Sequence, residues 1–571
     1  MSSPISEHGY ENDYTGVPNF SPLYPELLIT DGDGSILRET QDFSVLDGIV
    51  RRNDMRTLEQ YLEKGSWAIP RAPDVPRQLI GDSPEMEYFF MAAATGSLEA
   101  LQMLLTHKAE EDNQRPEQIR FGHRRYELLN VAARWGNLNI TQFLLENQPL
   151  YSYIHDRDSE GFTPILAAAN FFETQFLLPF NKEEDLSPGR SERVMNLLLD
   201  YGACASDALP PGHWENTKTP WQTVLSFSVE WASAALIERL IEAGADVRSK
   251  TRAPRSESGL DDRLEEENFE VEPLFIACSV ANLDAVKTII GSLQGSMSAE
   301  EISHIRGIRG TLPIHSATRN TLMTSKDSGW VLQERLPNIT AILDFLLDLD
   351  PTTINAQDDD GNTPLHHAAR AFGRHKRLFA PVFTFLCDRG ANASIRNKKL
   401  ETPLHTLLKV YENELRRYSC YEDEFILDTS ALLTLLAHGA GVSDVDHDGN
   451  TPLHLVAEVL NYSNGVSLLL DRGADPSQPN AKQETALHRA ARGTCLTGYA
   501  NIIAPKKIAM QDDVMGRLVN IGGEQLMDAM DAEGKTPRQL REEKRETWRD
   551  RDIPLWMRQQ NGSSSRGGRG G

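Results

Sequence analysis

Residues 448–457 read Asp-Gly-Asn-Thr-Pro-Leu-His-Leu-Val-Ala, and this stretch decides the fold because it recurs along the chain. Residues 360–369 read Asp-Gly-Asn-Thr-Pro-Leu-His-His-Ala-Ala, and residues 484–491 read Glu-Thr-Ala-Leu-His-Arg-Ala-Ala. Such recurrence is typical of repeat architectures, in which each copy covers an apolar face of its neighbour. Four copies carry the motif that we interpret as structural: Thr363, Pro364, Leu365, His366; Thr402, Pro403, Leu404, His405; Thr451, Pro452, Leu453, His454; and Thr485, Leu487, His488.

The motif predicts where helices begin and end. Threonine is a good N-cap because its hydroxyl can accept a hydrogen bond from an amide of the first turn, and proline is tolerated at the first helical position. We therefore expect each Thr-Pro pair to start a short first helix. A second, amphipathic run follows and ends in a glycine, which can take the left-handed conformation that closes a helix. The glycines expected in this role are Gly202, Gly244, Gly390, Gly439 and Gly473.

This pattern resembles the ankyrin repeat, a turn followed by two antiparallel helices. The resemblance implies an all-α fold, namely an ankyrin-repeat solenoid of helix-turn-helix units with short β-turn or hairpin tips. Weaker copies, such as those at Leu312-Pro313, Thr163-Pro164 and Thr219-Pro220, extend the array towards the N-terminus. The degenerate copies and the long inserts between them are similar to those of fungal ankyrin repeat proteins.

The sequence divides into three segments. Residues 1–42 hold eight acidic residues and one arginine, and we expect this segment to be disordered. Residues 43–550 are expected to form the array, with about ten to twelve units. Residues 551–571 read as a flexible Gly/Ser/Arg tail. We expect inserts in the array near residues 181–191, 249–272, 321–337, 411–427 and 493–511.

The composition of the chain disfavours several classes of function. The 571 residues carry a net charge of −25, which disfavours a default role in binding nucleic acid duplexes. No two of the five cysteines lie closer than 33 residues, so no Cys-x-x-Cys redox or zinc pattern exists. No apolar run approaches the length of a membrane span. We expect an intracellular protein of the cytoplasm or nucleus that is a monomer and does not contact a membrane.

The recurring histidines could suggest metal binding or acid–base chemistry. Recurrence at one repeat position argues against this, and the resemblance implies a hydrogen-bonding role that joins turn to helix and repeat to repeat. The stretch beginning at Asp444 starts like a calcium loop, but Leu455 stands where that loop needs a bidentate glutamate. We therefore predict no catalytic, cofactor-binding or metal-binding residue, and no enzymatic activity.

The resemblance implies a scaffold or adaptor that binds a partner protein on the concave face of the array. The residues before each helix pair are the candidate contacts: Gln357, Asp359, Asp360, Lys398, Lys399, Asp446, His447, Asp448 and Lys482. Acidic and basic residues alternate among them, which would select a partner of complementary charge order. The alternative is an RNA- or chromatin-associated regulator that uses the Arg-Gly-Gly repeats of residues 566–571.

Overall fold

The structure is a computed structural model that describes residues 28–30, 36–38, 49–50, 52–65, 84–111, 127–148, 151–170, 188–210, 222–252, 270–319, 329–372, 380–409, 427, 429–496 and 503–552. The chain divides into two compact units, Met1–Asp207 and Ala208–Gly571. The described residues are mostly helical, which fits the predicted all-α repeat fold. None of the helices in these ranges has both the length and the apolar character needed to cross a membrane.

The first unit contains a short hairpin and seven labelled helices among its described residues. Strands β1 (Leu28–Thr30) and β2 (Ile36–Arg38) pair antiparallel. The hairpin lies inside the segment expected to be disordered, and its β-branched residues suit extended strands. The helices are α1 (Met55–Gly65), α2 (Pro84–Thr95), α3 (Leu98–Glu111), α4 (Leu128–Arg134), α5 (Leu138–Glu146), α6 (Pro164–Ala169) and α7 (Pro188–Asp200).

Helices α2 to α7 form three consecutive pairs. The first helices of the pairs, α2, α4 and α6, pack against one another in chain order, and the second helix α5 packs against α7. Each pair therefore covers its neighbour.

The second unit repeats this arrangement. It also contains two antiparallel strand pairs: β3 (Ala208–Leu209) with β4 (Gln222–Thr223) before its first helix, and β5 (Thr251–Arg252) with β6 (Glu270–Val271) after its second. Its helices are α8 (Val224–Ser228), α9 (Ala234–Glu242), α10 (Pro273–Ser279), α11 (Leu283–Leu293), α12 (Ala299–Ser303), α13 (Pro313–Arg319), α14 (Gly329–Leu349), α15 (Pro364–Phe372), α16 (Ala380–Asp388), α17 (Pro403–Leu408), α18 (Thr429–Ala437), α19 (Pro452–Glu458), α20 (Ser463–Asp471), α21 (Ala486–Ala491), α22 (Ala504–Gly522) and α23 (Pro537–Asp552).

Two parallel rows of helices run through the second unit. The first helices α8, α10, α13, α15, α17, α19 and α21 pack in chain order, and α23 packs against α21. The second helices α9, α11, α14, α16, α18, α20 and α22 pack in the same order. The paired alanines of the motif, such as Ala368 and Ala369, are fully buried between first helices. Their small side chains allow the helices to approach closely.

The predicted helix starts and stops are confirmed. Helices begin at the motif prolines Pro164, Pro313, Pro364, Pro403, Pro452 and Pro537. All five glycines expected to end a second helix have positive φ, between 87° at Gly473 and 98° at Gly244. The predicted start at Thr219-Pro220 lies outside the described residues. Helix α8 follows it with a reciprocal cap, in which Ser226 N donates to Thr223 Oγ1 at 3.1 Å and Thr223 N donates to Ser226 Oγ at 2.7 Å.

Three predicted inserts contain helix, and in the first of them, 181–191, α7 begins at Pro188. Residues 504–511 of the predicted insert 493–511 begin α22, which packs against α20 and α21. The helix is stable there because Val514, Met515 and Leu518 are buried along one side of it. Likewise α14 begins at Gly329, inside the predicted insert 321–337. Most of the predicted insert 411–427 lies outside the described residues, as do residues 253–269, between β5 and β6.

Candidate partner-binding surface

A six-residue turn precedes each first helix in the C-terminal half of the second unit. We call these turns tips, and they comprise residues 358–363, 397–402, 446–451, 480–485 and 531–536. In each tip the backbone N–H of the first residue donates to the carbonyl oxygen of the fifth, at 2.8–3.0 Å. A side-chain oxygen of the first residue, an aspartate or asparagine, accepts from the N–H groups of the third and fifth residues at 2.8–2.9 Å. The first side chain therefore shapes the turn.

This geometry corrects the prediction for Asp446. We expected its carboxylate to face a partner, but the residue is only 7% exposed. Its Oδ1 accepts from the backbone of Asp448 and Asn450, and its Oδ2 accepts from Asn450 Nδ2 at 3.1 Å. A carboxylate whose acceptor sites are filled by its own turn has little capacity left for a partner. Asp446 is thus a turn-forming residue.

Successive tips are joined by their backbones. The N–H of the second residue in each tip donates to a carbonyl oxygen of the preceding turn, always at 2.9 Å: Asp359 to Arg309, Lys398 to Asp360, His447 to Lys399, Ala481 to Asp448 and Ala532 to Lys482. The tips therefore lie side by side in one hydrogen-bonded row, which we call the tip row. It presents the second and third residues of each tip at fixed spacing.

The tip row carries most of the predicted contact residues on its surface. Gln357, Asp359, Asp360, Lys398, Lys399, His447, Asp448 and Lys482 are exposed. Gln357 is partly committed to the fold, because its Nε2 donates to the carbonyl oxygens of Gly361 at 2.7 Å and Arg396 at 3.2 Å. The other seven side chains project from positions two and three of their tips.

The sign of the exposed charges alternates from one tip to the next. This alternation begins one turn earlier than we predicted. Arg306 Nη1 lies 3.2 Å from Asp359 Oδ1, and Arg309 Nη1 lies 3.4 Å from Asp360 Oδ2. Arg306 lies directly before the turn at residues 307–312, and Arg309 lies within it. We did not predict these two residues because that turn has glycine instead of aspartate or asparagine at its first position. The spacing of that turn from Pro313 could have revealed them. The order of signs is therefore basic, acidic, basic, acidic and basic from Arg306 to Lys482.

The five recurring histidines lie beneath the tip row and are buried: His315, His366, His405, His454 and His488. Nδ1 of each accepts from the backbone N–H three residues earlier, at 2.9–3.3 Å. Nε2 of each lies 2.9–3.1 Å from a carbonyl oxygen in the following repeat. Because a carbonyl can only accept, Nε2 carries the proton and the ring is neutral.

Burial reinforces the neutral state of these rings. It lowers the pKa of His315 to about 3, helped by the neighbouring His367, and it lowers the pKa of His366 to about 4. Both ring nitrogens of each of the five histidines are hydrogen-bonded to backbone groups, as described above. Among the residues that the structure describes, no group of three or more His, Cys, Asp or Glu side chains could hold a metal ion.

A second polar network ties each asparagine tip to the tip before it. Asn397 Nδ2 lies 3.0 Å from both Asn362 Oδ1 and Glu401 Oε2, and Lys409 Nζ donates to Glu401 Oε1 at 2.6 Å. Asn480 contacts Asn450 and Glu484 in the same way, at 2.9 and 3.1 Å. The asparagine amides join neighbouring tips, and the buried carboxylates of Glu401 and Glu484 hold these amides in place. Sequence reasoning missed them, although the recurring Asn-x-x-x-Glu spacing was available as a signal.

Comparison with known proteins supports the resemblance. A family model described as "Ankyrin repeat" matches residues 360–398, and one described as "Ankyrin repeats (3 copies)" matches residues 427–507. The chain is 31% identical over 139 residues to the human transient receptor potential cation channel subfamily A member 1, covering 24% of this chain and 10% of the channel. It is 25% identical over 158 residues to the intracellular phospholipase A2 of Caenorhabditis elegans, covering 27% of this chain and 13% of that protein. The chain thus spans about a tenth of the length of these curated relatives.

Proposed function

Because this chain contains ankyrin repeats, we propose that it is a non-enzymatic scaffold or adaptor that binds a partner protein. The binding surface is the tip row together with the adjoining concave face that a solenoid of such repeats forms. In this proposal the array extends over residues 43–550, inside the cell, with segment 1–42 and the tail 551–571 as flanks. Ankyrin repeats serve as protein-interaction modules, which supports the class of function.

The tip row is the observation that carries the proposal. Its backbone hydrogen bonds fix the backbone positions from which the exposed charged side chains project before any partner arrives. A surface that is already ordered loses little conformational entropy on binding. The alternating signs favour a partner with the complementary order and disfavour one with the opposite order.

The test uses the full chain as an affinity bait, with bound proteins identified by mass spectrometry. The variant Lys398→Ser, Lys399→Ser removes two charges from the tip row. Its matched control, Lys506→Ser, Lys507→Ser, removes two charges from the start of α22, a second helix. We expect a stoichiometric partner that the tip variant loses and the control retains. Equal retention by both variants would contradict binding on the tip row.

The same experiment weighs the alternative function. The Arg-Gly-Gly tail lies outside the described residues. Partners that disappear after RNase treatment, or after deletion of residues 551–571, would favour an RNA-associated regulator over a scaffold.

A further inference from the structure

We infer that the tip at residues 397–402 anchors an acidic partner segment that carries a large apolar side chain. Leu400 makes the apolar contact, and Lys398 and Lys399 make the charged ones. The inference rests on the proposed function, because it specifies which part of the tip row selects the partner and what chemistry it selects.

The backbone of Leu400 is the first argument. Its φ is 57°, in the left-handed region that glycine adopts freely and leucine does not. The equivalent fourth position is a glycine in three of the other four tips, namely Gly361, Gly449 and Gly534, and it is Gln483, with a φ of 58°, in the remaining one. A glycine would suit this turn better, so the leucine stands against the preference of the backbone. Strain of this kind is often found at functional sites.

The exposure of Leu400 is the second argument. The residue is 45% exposed, so packing within the fold leaves nearly half of its surface uncovered. Among the large hydrophobic residues that are exposed in the described ranges, Leu400 is the one that lies within a tip. An apolar side chain surrounded by polar neighbours is the usual form of an anchor in a protein interface.

The charge around Leu400 is the third argument. Asp359 and Asp360 of the preceding tip are paired with Arg306 and Arg309, as described above. In the part of the chain that the structure describes, neither Lys398 Nζ nor Lys399 Nζ lies within 4 Å of a carboxylate oxygen. The two lysines therefore present positive charge that neighbouring side chains do not neutralise by direct contact.

Glu401, the acidic residue of the same tip, does not supply that neutralisation by contact. It is buried, and its two oxygens are held by Lys409 and Asn397. Charge complementarity consequently points to a partner segment with carboxylates beside its apolar residue.

The rigidity of the tip is the fourth argument. Lys398 N donates to Asp360 O and His447 N donates to Lys399 O, each at 2.9 Å, so both sides of the tip are fixed to neighbours. The lysines and the leucine are thus presented together by one restrained turn. A partner meets them without having to order the loop.

The test is a selection of displayed random linear peptides on the full chain, followed by fluorescence polarisation with the most enriched peptide. We expect enriched peptides to combine acidic residues with a leucine, isoleucine, methionine or phenylalanine. Leu400→Gly should weaken binding by at least about tenfold. Lys398→Glu, Lys399→Glu should weaken it further and reduce its dependence on salt.

The matched control is Gln483→Gly. Gln483 occupies the same position of a later tip, with a φ of 58°, so its replacement relieves the same backbone conformation without removing a leucine. This control should bind the peptide as the wild type does, and Leu400→Gly should have a Tm no lower than that of the wild type.

Four results would overturn the inference. They are enriched peptides without acidic residues, no enrichment on the wild type beyond that on Leu400→Gly, equal binding by Leu400→Gly and Gln483→Gly, or a clear fall in Tm for Leu400→Gly. A protein partner that depends on Lys398 and Lys399 but not on Leu400 would leave the proposed function standing and exclude the leucine anchor.

Discussion

At the scale of single residues, we expect the motif histidine to contribute more to stability than the exposed residues of the tips. His366 Nδ1 accepts from Thr363 N at 3.1 Å, and Nε2 donates to Glu401 O at 3.0 Å, so one ring joins two repeats. We predict that His366→Ala lowers the free energy of unfolding by about 2–4 kcal/mol, because it leaves buried backbone groups without partners and opens a cavity. Urea titration followed by circular dichroism measures the change.

The control for that prediction is His447→Ala. The side chain of His447 is 79% exposed at its tip, so its removal should change the free energy of unfolding by less than about 0.5 kcal/mol. If both histidine variants unfolded at the same urea concentration, the bridging role of His366 would be wrong.

The chemistry of single residues also decides which features could be predicted from the sequence. Thr-Pro-Leu-His predicted helix starts because capping and the proline ring act within one turn of chain. Asp446 misled us, since His447 and Asp448 beside it are exposed while its own carboxylate turns back to amides two and four residues ahead. Whether a polar side chain faces solvent or its own backbone depends on the turn geometry, which the residue type alone does not give.

At the scale of elements, the tips depend on close backbone approach. A Cβ added at Gly449 would lie 2.8 Å from Ala481 N of the next tip, and the residue has a φ of 75°. Gly473 has a φ of 87° and no atom within 4 Å of such a Cβ. We predict that Gly449→Ala is destabilising by at least about 1 kcal/mol more than Gly473→Ala. Both substitutions place a side chain at a positive φ, and only the one at Gly449 also brings a Cβ close to the next tip. The difference in Tm between the two variants therefore measures the effect of that close contact.

Equal losses of stability in the two glycine variants would mean that the tips do not need their close approach.

Helix α22 was not predicted from the sequence. Its start at Ala504-Pro505 lacks the threonine and histidine of the motif, and only burial of Val514, Met515 and Leu518 against neighbouring helices explains it. Tertiary packing of that kind gives only a weak sequence signal in a single degenerate repeat.

At the scale of the whole molecule, the buried histidines make stability depend on pH. A histidine with a folded pKa below its unfolded value of about 6.5 stabilises the fold fully above pH 6.5, and the contribution is lost as pH falls towards the folded pKa. For His315 and His366 that window extends down to about pH 3 and 4. We predict a loss of roughly 2 kcal/mol for each of these two between pH 7 and pH 5.

Urea titrations at several pH values test this, and His366→Gln should show a shallower dependence than the wild type because one titrating group is gone. A free energy of unfolding that stays constant from pH 7 to pH 5 would contradict it. The sequence alone indicated that these histidines are structural, but it could not give the degree of burial that moves their titration.

The near identity of two tips has a consequence for how a partner finds its place. Tips 397–402 and 480–485 both read Asn-x-Lys-x-Glu-Thr, and the signs of charge repeat with a period of two repeats. A partner that recognised only the order of signs could therefore slide by two repeats and dock in either frame. Two positions distinguish the frames, because Lys398 and Leu400 of the first tip correspond to Ala481 and Gln483 of the second. Exchanging the side chains at both positions should move the partner along the array instead of releasing it.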